Sequence, residues 1–368
     1  MKLLISGAFN PAFEALPEYL IEAFRRLGHE VVGFDHRAHL LPGRLRARST
    51  SLERFDRAML NRRFLAGARR FRPDLILVNQ GTVLARATLE AARDLGARCV
   101  NWFSDYPAEF EAGLELAPAY DAFFSGSSYA ALRHREAGHP RAAWLPFACD
   151  PVAHHPAGTS DPASGARQQE RVVFVGSCYP ERQILLRFLR GLPVGIWGPG
   201  WASRAAGDPH LGPMLRGGAL RPSAWRTLYQ RADVALNIHY GAFGPREVSG
   251  DMANTRLFEI FGCGALQVVD RQGDLLRLFK DGQEFCGFSG GEELRAVVEE
   301  ALRDSDRRRE VAARGRRAVL AAHTYEHRAR TLLDPAADGF DLRGIPDSGS
   351  ARDPAAIEAA RSARRVAR

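Results

Sequence analysis

The chain opens on a short apolar run, KLLIS at residues 2–6, followed by a GAFNP loop and then by apolar positions recurring at helical spacing over 16–27. That pattern predicts strand, loop and helix. Further short apolar runs follow at 31–34, 75–78, 99–103 and 122–125, with helical candidates between them. Unbroken apolar strands alternating with helices predict a parallel sheet covered on both faces. The alternation stops after WLPFACDP. Residues 155–170, HPAGTSDPASGARQQE, are rich in Pro, Gly and small polar side chains and have little to bury.

A second series begins with VVFVG at 172–176 and continues through 194–197, 233–239 and 265–270, with a further helix over 292–302. The expected architecture is therefore α/β, with two Rossmann-like, doubly wound domains, 1–153 and 171–333, joined by a 154–170 linker. No internal repeat relates the halves. A helical pattern returns over 310–333, interrupted near His323 and Tyr325. Beyond Pro335 the polar, Arg/Ser/Ala-rich composition predicts a partly mobile tail, 334–368, whose last residues suit a basic surface helix.

At 368 residues and 45% hydrophobic content, the chain is long enough for two cores. No apolar run approaches the roughly 18 residues that cross a bilayer. The N-terminus lacks an apolar stretch with a small-residue cleavage site, so the expected location is the cytoplasm. Cys99, Cys149, Cys178, Cys263 and Cys286 are scattered without a CxxC pair, which predicts free thiols. A formal charge of +8 raises nucleic acid as a partner. Arginines are spread along the chain, however, and Lys2 and Lys280 are the only lysines, so no specific nucleic-acid partner is expected. One local enrichment, from Arg44 to Arg72, can attract an anionic glycan or membrane surface, or form an ordinary solvated face.

Candidate chemistry concentrates in the second half. NTRLFEIFGCGALQVVD, residues 254–270, reads as an apolar-faced helix carrying Asn254, Arg256 and Glu259, a Gly-Cys-Gly turn and a buried strand. Arg256 can neutralise a diphosphate and Glu259 can accept two ribose hydroxyls; an ion pair on a helix surface is the other reading. In FVGSCYPER, Gly176 and Ser177 leave a strand where backbone can approach phosphate, with Arg182 a turn farther on. Asn237 and His239 share a strand face, and either bind a ligand or satisfy backbone groups. Asp251 lies near them, and Gly244 and Gly250 suit a flexible substrate loop. Neither G-x-G-x-x-G after the first strand nor G-x-x-x-x-G-K-[ST] occurs, which argues against the usual NAD and P-loop sites. His154 and His155 lack further ligands and read as a linker pair; Asp304 and Asp306 read as a charged helix terminus.

Residues Asn254, Arg256, Glu259, Cys263 and Gly264 form an Asn-x-Arg-x-x-Glu-x-x-x-Cys-Gly pattern that resembles the donor-binding helix of GT-B glycosyltransferases, especially the CgeB-like, spore-maturation group. The resemblance spans about 172–333. It implies a GT-B fold of two facing domains and transfer from a nucleoside-diphosphate sugar to a glycan, protein or small-molecule acceptor, with neither cofactor nor metal. It further implies nucleobase contacts from the backbone around Leu220 and Arg221, and leaving-group stabilisation by Arg182 and Arg256. A retaining branch has two glutamates separated by seven intervening residues. Glu259 matches the second, and Asp251 stands at the first on a shorter side chain. In the first half, Asn10 falls on the acceptor side, and Asp105 stands where many such enzymes carry His-Asp, as general base if the reaction inverts. A non-catalytic nucleotide-sugar or glycan binder is the rival reading.

Overall fold

The computed structural model describes residues 1–10, 15–104, 110–158, 170–242, 251–337, 339–340 and 342. Asp105, Gly244, Gly250, most of the Pro/Gly-rich segment and nearly all of the tail lie outside them.

The described residues form two six-stranded sheets, each wholly parallel. The first comprises β1 (Lys2–Gly7), β2 (Glu30–Asp35), β3 (Leu75–Asn79), β4 (Arg98–Phe103), β5 (Ala122–Ser125) and β6 (Ala142–Trp144), in the order β2-β1-β3-β4-β5-β6. β3 is buried at every position, as an apolar strand covered on both faces should be. The Leu16–Arg26 helix starts with Pro17 in its first turn, and Glu18 accepts the Ala15 N–H at 3.0 Å. It buries Tyr19, Leu20, Ile21, Ala23 and Phe24. Gly28, at φ +83°, follows its last turn in a conformation that favours glycine.

The second sheet comprises β7 (Val172–Val175), β8 (Val194–Trp197), β9 (Leu215–Gly217), β10 (Val234–Asn237), β11 (Leu266–Asp270) and β12 (Cys286–Phe288), in the order β12-β11-β10-β7-β8-β9. Side chains alternate across it. Val172, Phe174, Leu236 and Val268 join one core, whereas Val173 and Ala235 pack with Trp225, Tyr229, Ile260 and Cys263 on the other face.

Contacts divide the chain after Pro146, rather than in the expected linker, and again near Thr324. The first unit takes Met1–Pro146 with Tyr325–Ile345, and the second takes Phe147–Thr324 among the described residues. The Tyr325–Leu333 helix, expected in the second domain, is a structural member of the first. Tyr325 stacks on Tyr19 at 5.5 Å, Arg26 pairs with Glu326 at 2.6 Å, and Arg98 donates to the Leu332 carbonyl at 2.9 Å. Buried Arg328 donates to the Pro146 carbonyl at 2.6 Å. His154 corrects another expectation: it is fully buried in the second unit instead of lying in a polar linker.

Candidate functional site

In the second sheet, numbered from β7, the strands run 3-2-1-4-5-6, so the winding reverses between β7 and β10. Such a reversal opens a crevice at the carboxyl ends of the two strands, where ligands bind in doubly wound sheets. The loop leaving β7 is tightly built. Its Gly176 carbonyl accepts the Trp201 indole N–H at 2.8 Å, and a Cβ on Gly198 would stand only 2.0 Å from that carbonyl oxygen.

Arg182, in the Pro180–Arg187 helix, reaches across the reversal. It donates twice to the Ile238 carbonyl beyond β10, at 2.9 and 2.6 Å, and once to the Ser177 carbonyl at 3.0 Å. The rings of Phe174 and Tyr179 lie 5.3 and 4.9 Å from its guanidinium carbon. Burial lowers its pKa below the ordinary arginine value. Three of its five N–H donors are thus spent on backbone.

Beyond β10 the expected polar residues hold one another. Asn237 and Asn254 exchange two amide hydrogen bonds of 3.0 Å. His239 contacts the Asp270 carboxylate through Nδ1 at 2.9 Å, and its Nε2 accepts the Asn254 backbone N–H at 3.2 Å. Nδ1 thus faces the carboxylate while Nε2 serves as the acceptor for the helix start. Burial alone would raise the Asp270 pKa, but His239 and hydrogen bonds from His239 and Gln272 hold it below the usual carboxylate range. This network fixes the start of the Thr255–Cys263 helix. Asn254 Oδ1 caps it by accepting the Leu257 N–H at 3.0 Å, and Gly264 at φ +79° ends it. A helix N-terminus held at a sheet's carboxyl edge favours an anion.

Arg256 and Glu259, one turn apart, pair at 2.8 Å. The Arg256 guanidinium lies 4.1 Å from the Trp225 ring centre, and the Glu259 side chain is only 10% exposed. His154 stacks on the same indole at 5.7 Å. The Asp150 N–H donates to its Nδ1 at 3.0 Å, so its proton is on Nε2, 3.9 Å from Glu259. Burial pushes the His154 pKa down, which keeps the ring neutral.

Asp251 is buried at φ +50°. Its carbonyl accepts the Asp274 N–H at 3.0 Å, and its carboxylate packs against Gly273 at the start of the Gly273–Leu278 helix. Leu220 is half-buried beside Trp225 and Tyr229, while exposed Arg221 caps the Pro222–Arg231 helix, its carbonyl accepting the Ala224 N–H at 3.0 Å. Asn10, in the first unit, donates its backbone N–H to Glu18 at 3.0 Å. Asp105 lies outside the described residues.

Residues 181–334 match the model of a family described as glycosyl transferase-like. No curated protein matches the sequence. Among solved structures, Anabaena HepE in complex with UDP-glucose is similar at 13% identity and TM-score 0.61, over 90% of this chain and 98% of that one. Sucrose-phosphate synthase from Thermosynechococcus elongatus is similar at 11% identity and TM-score 0.64, over 89% and 96%. So is a putative UDP-N-acetylglucosamine 2-epimerase from Listeria monocytogenes, at 12% identity and TM-score 0.57, over 92% and 99%. The two-sheet architecture is the GT-B fold. The part of this GT-B chain that matches the family model contains Arg182, Asn237, His239, Asp251, Asn254, Arg256 and Glu259; Gly176 and Ser177 immediately precede it.

Sequence reasoning missed Trp225, His154 and Asp270 as parts of the site. Trp225 and His154 join it only through tertiary packing. Asp270 carried a readable signal, an acidic residue closing an otherwise apolar strand at the carboxyl edge.

Proposed function

We propose that the chain is a CgeB-like glycosyltransferase that moves a sugar from a nucleoside-diphosphate sugar to an acceptor. The observation that carries this reading is Arg182 spanning the β7/β10 reversal beside the capped N-terminus of the Thr255–Cys263 helix. A donor diphosphate placed there meets a cation and helix N–H groups, and both stabilise the charge that accumulates as the sugar departs. Glu259 offers carboxylate oxygens to the ribose hydroxyls, and Arg256 holds that carboxylate in place. Arg256 is thereby a positioning residue first, with its charge at the same helix end. Gly176 and Ser177 supply close-approaching backbone, and the backbone at Leu220 and Arg221 contacts the nucleobase. Asn237, His239 and Asp251 support these groups. Charge neutralisation falls to arginine and backbone, so the scheme is metal-independent. The free thiols of Cys99, Cys178, Cys263 and Cys286 fit a reducing, cytoplasmic setting.

HepE with UDP-glucose makes UDP and UDP-glucose the first probes. Ligand that binds only the folded state raises the melting temperature by mass action. We expect UDP and at least one nucleotide sugar to do so in the full chain, and donor hydrolysis or transfer to follow. Failure of every nucleoside diphosphate and nucleotide sugar to bind, by calorimetry as well as melting, would refute the donor site. Binding without turnover across a broad acceptor panel would make the protein a nucleotide-sugar binder.

A further inference from the structure

A strong local excess of positive charge lies in the first unit. Between Arg44 and Arg72 stand ten arginines against Glu53 and Asp56, a formal +8 that equals the net charge of all 368 residues. The segment comprises the short Gly43–Arg46 helix and the long Thr50–Phe71 helix. The long helix buries Leu60, Phe64 and Ala68 at four-residue spacing and turns its other side outward. Asp56, fully buried, pins the preceding loop by accepting the Leu40 and Leu41 N–H groups at 2.8 and 3.0 Å and by pairing with His39 at 2.7 Å. Arg63 adds a bond to the Ala38 carbonyl at 2.8 Å. The outward face is therefore a built surface.

Its composition is not that of a simple solvated face. Ten large hydrophobic side chains are exposed among the described residues, and four of them fall within sixteen residues here: Leu40 at 51%, Leu45 at 39%, Leu52 at 39% and Phe55 at 54%. Leu52 and Phe55 lie one turn apart on one side of the helix. Arg44, Arg48, Arg54 and Arg62 are exposed in the same stretch of chain. Asp56 is buried, which leaves Glu53 as the only exposed acid in the segment.

We propose that residues 40–62 form a peripheral docking surface for a bilayer carrying anionic lipids. The arginines meet headgroup phosphates and carboxylates, while Leu40, Leu45, Leu52 and Phe55 enter the acyl boundary. A nucleic acid or acidic glycan would complement the charge and leave the apolar side chains without a use; a bilayer complements both. This surface is independent of the donor reading, since it uses none of the residues in the second unit.

The test is flotation of the full chain with vesicles of phosphatidylcholine alone, or with one-third phosphatidylglycerol, at low and high salt. Binding is expected only with phosphatidylglycerol, weakening as salt rises. Replacing Arg44, Arg48, Arg54 and Arg62 by Gln should lower partitioning several-hundred-fold, at about five-fold per arginine. Leu52→Ala with Phe55→Ala should lower it roughly ten-fold, at unchanged charge. Melting and UDP affinity should match the parent in both variants; should the arginine variant fail to fold, the apolar pair and the salt series decide. Absent vesicle binding overturns the proposal. So does binding that ignores the apolar pair and is matched by heparin, or dimerisation that the same variants abolish without vesicle binding.

Discussion

Removing Arg256 tests whether the proposed donor site on the Thr255–Cys263 helix works through a paired carboxylate. In Arg256→Ala, Glu259 loses a 2.8 Å ion pair while its own side chain stays 10% exposed, and the Trp225 ring loses a cation 4.1 Å from its centre. A hydrogen bond to a charged group contributes about 1.5–3 kcal/mol, and a cation over an indole about 0.5–2 kcal/mol. Arg256 is itself 27% exposed, so water recovers part of each and the low ends apply. We expect a loss of about 2 kcal/mol, or roughly 4–8 °C in the melting temperature of a unit this size. Donor affinity supplies the sharper readout. UDP binding measured by calorimetry for the parent, Arg256→Ala, Glu259→Gln and the double variant closes a cycle. If Arg256 acts by holding Glu259, the double variant binds about as weakly as Glu259→Gln alone, with a coupling of about 1 kcal/mol or more. Two losses that add within about 0.5 kcal/mol would refute the positioning role and make Arg256 an independent phosphate contact. An unchanged melting temperature would refute its packing role.

Asp270→Asn tests the buried carboxylate behind His239. Because the folded-state pKa is depressed, its stabilisation is present above the unfolded carboxyl value of about 3.9 and lost as pH falls through the folded value. Urea midpoints should separate parent from variant at neutral pH and converge in acid; a gap constant down to the acid transition would contradict the assignment. Gly198→Ala should lower the melting temperature by about 6 °C or more, a cost of about 3 kcal/mol, because its Cβ would collide with the Gly176 carbonyl. A soluble variant that melts with the parent would show that the two loops are not in contact. Cys263 is buried, and burial raises its thiol to about 12, so the native chain should resist alkylation there at mildly alkaline pH while denatured chain reacts. Rapid native labelling of Cys263, located by mass spectrometry, would contradict the buried site.

What the amino-acid sequence determined by itself was the succession of elements and the position of the Thr255–Cys263 helix. Runs such as LILV at 75–78 declare buried parallel strands because every residue is apolar, and β3 covers Leu75–Asn79. Asn254, the apolar face of Leu257, Phe258, Ile260 and Phe261, and Gly264 announce a helix start, a buried side and a stop, since capping and amphipathicity are local properties. Tertiary structure decided the rest. β6, β9 and β12 are three residues each, at or near sheet edges, and owe their assignment to a neighbouring strand rather than to any periodicity of their own. The Tyr325–Leu333 helix follows the second unit in sequence yet packs with the first through Tyr19, Arg26 and Arg98, partners some 230 to 310 residues away that no local pattern reveals. His154 looked like linker because Pro, Gly and polar residues follow it; its burial comes from Trp225 and the Thr255–Cys263 helix. The same holds for Arg256, whose residue type suggests a phosphate ligand, while the indole and carboxylate around it, set by packing, decide how its charge is used.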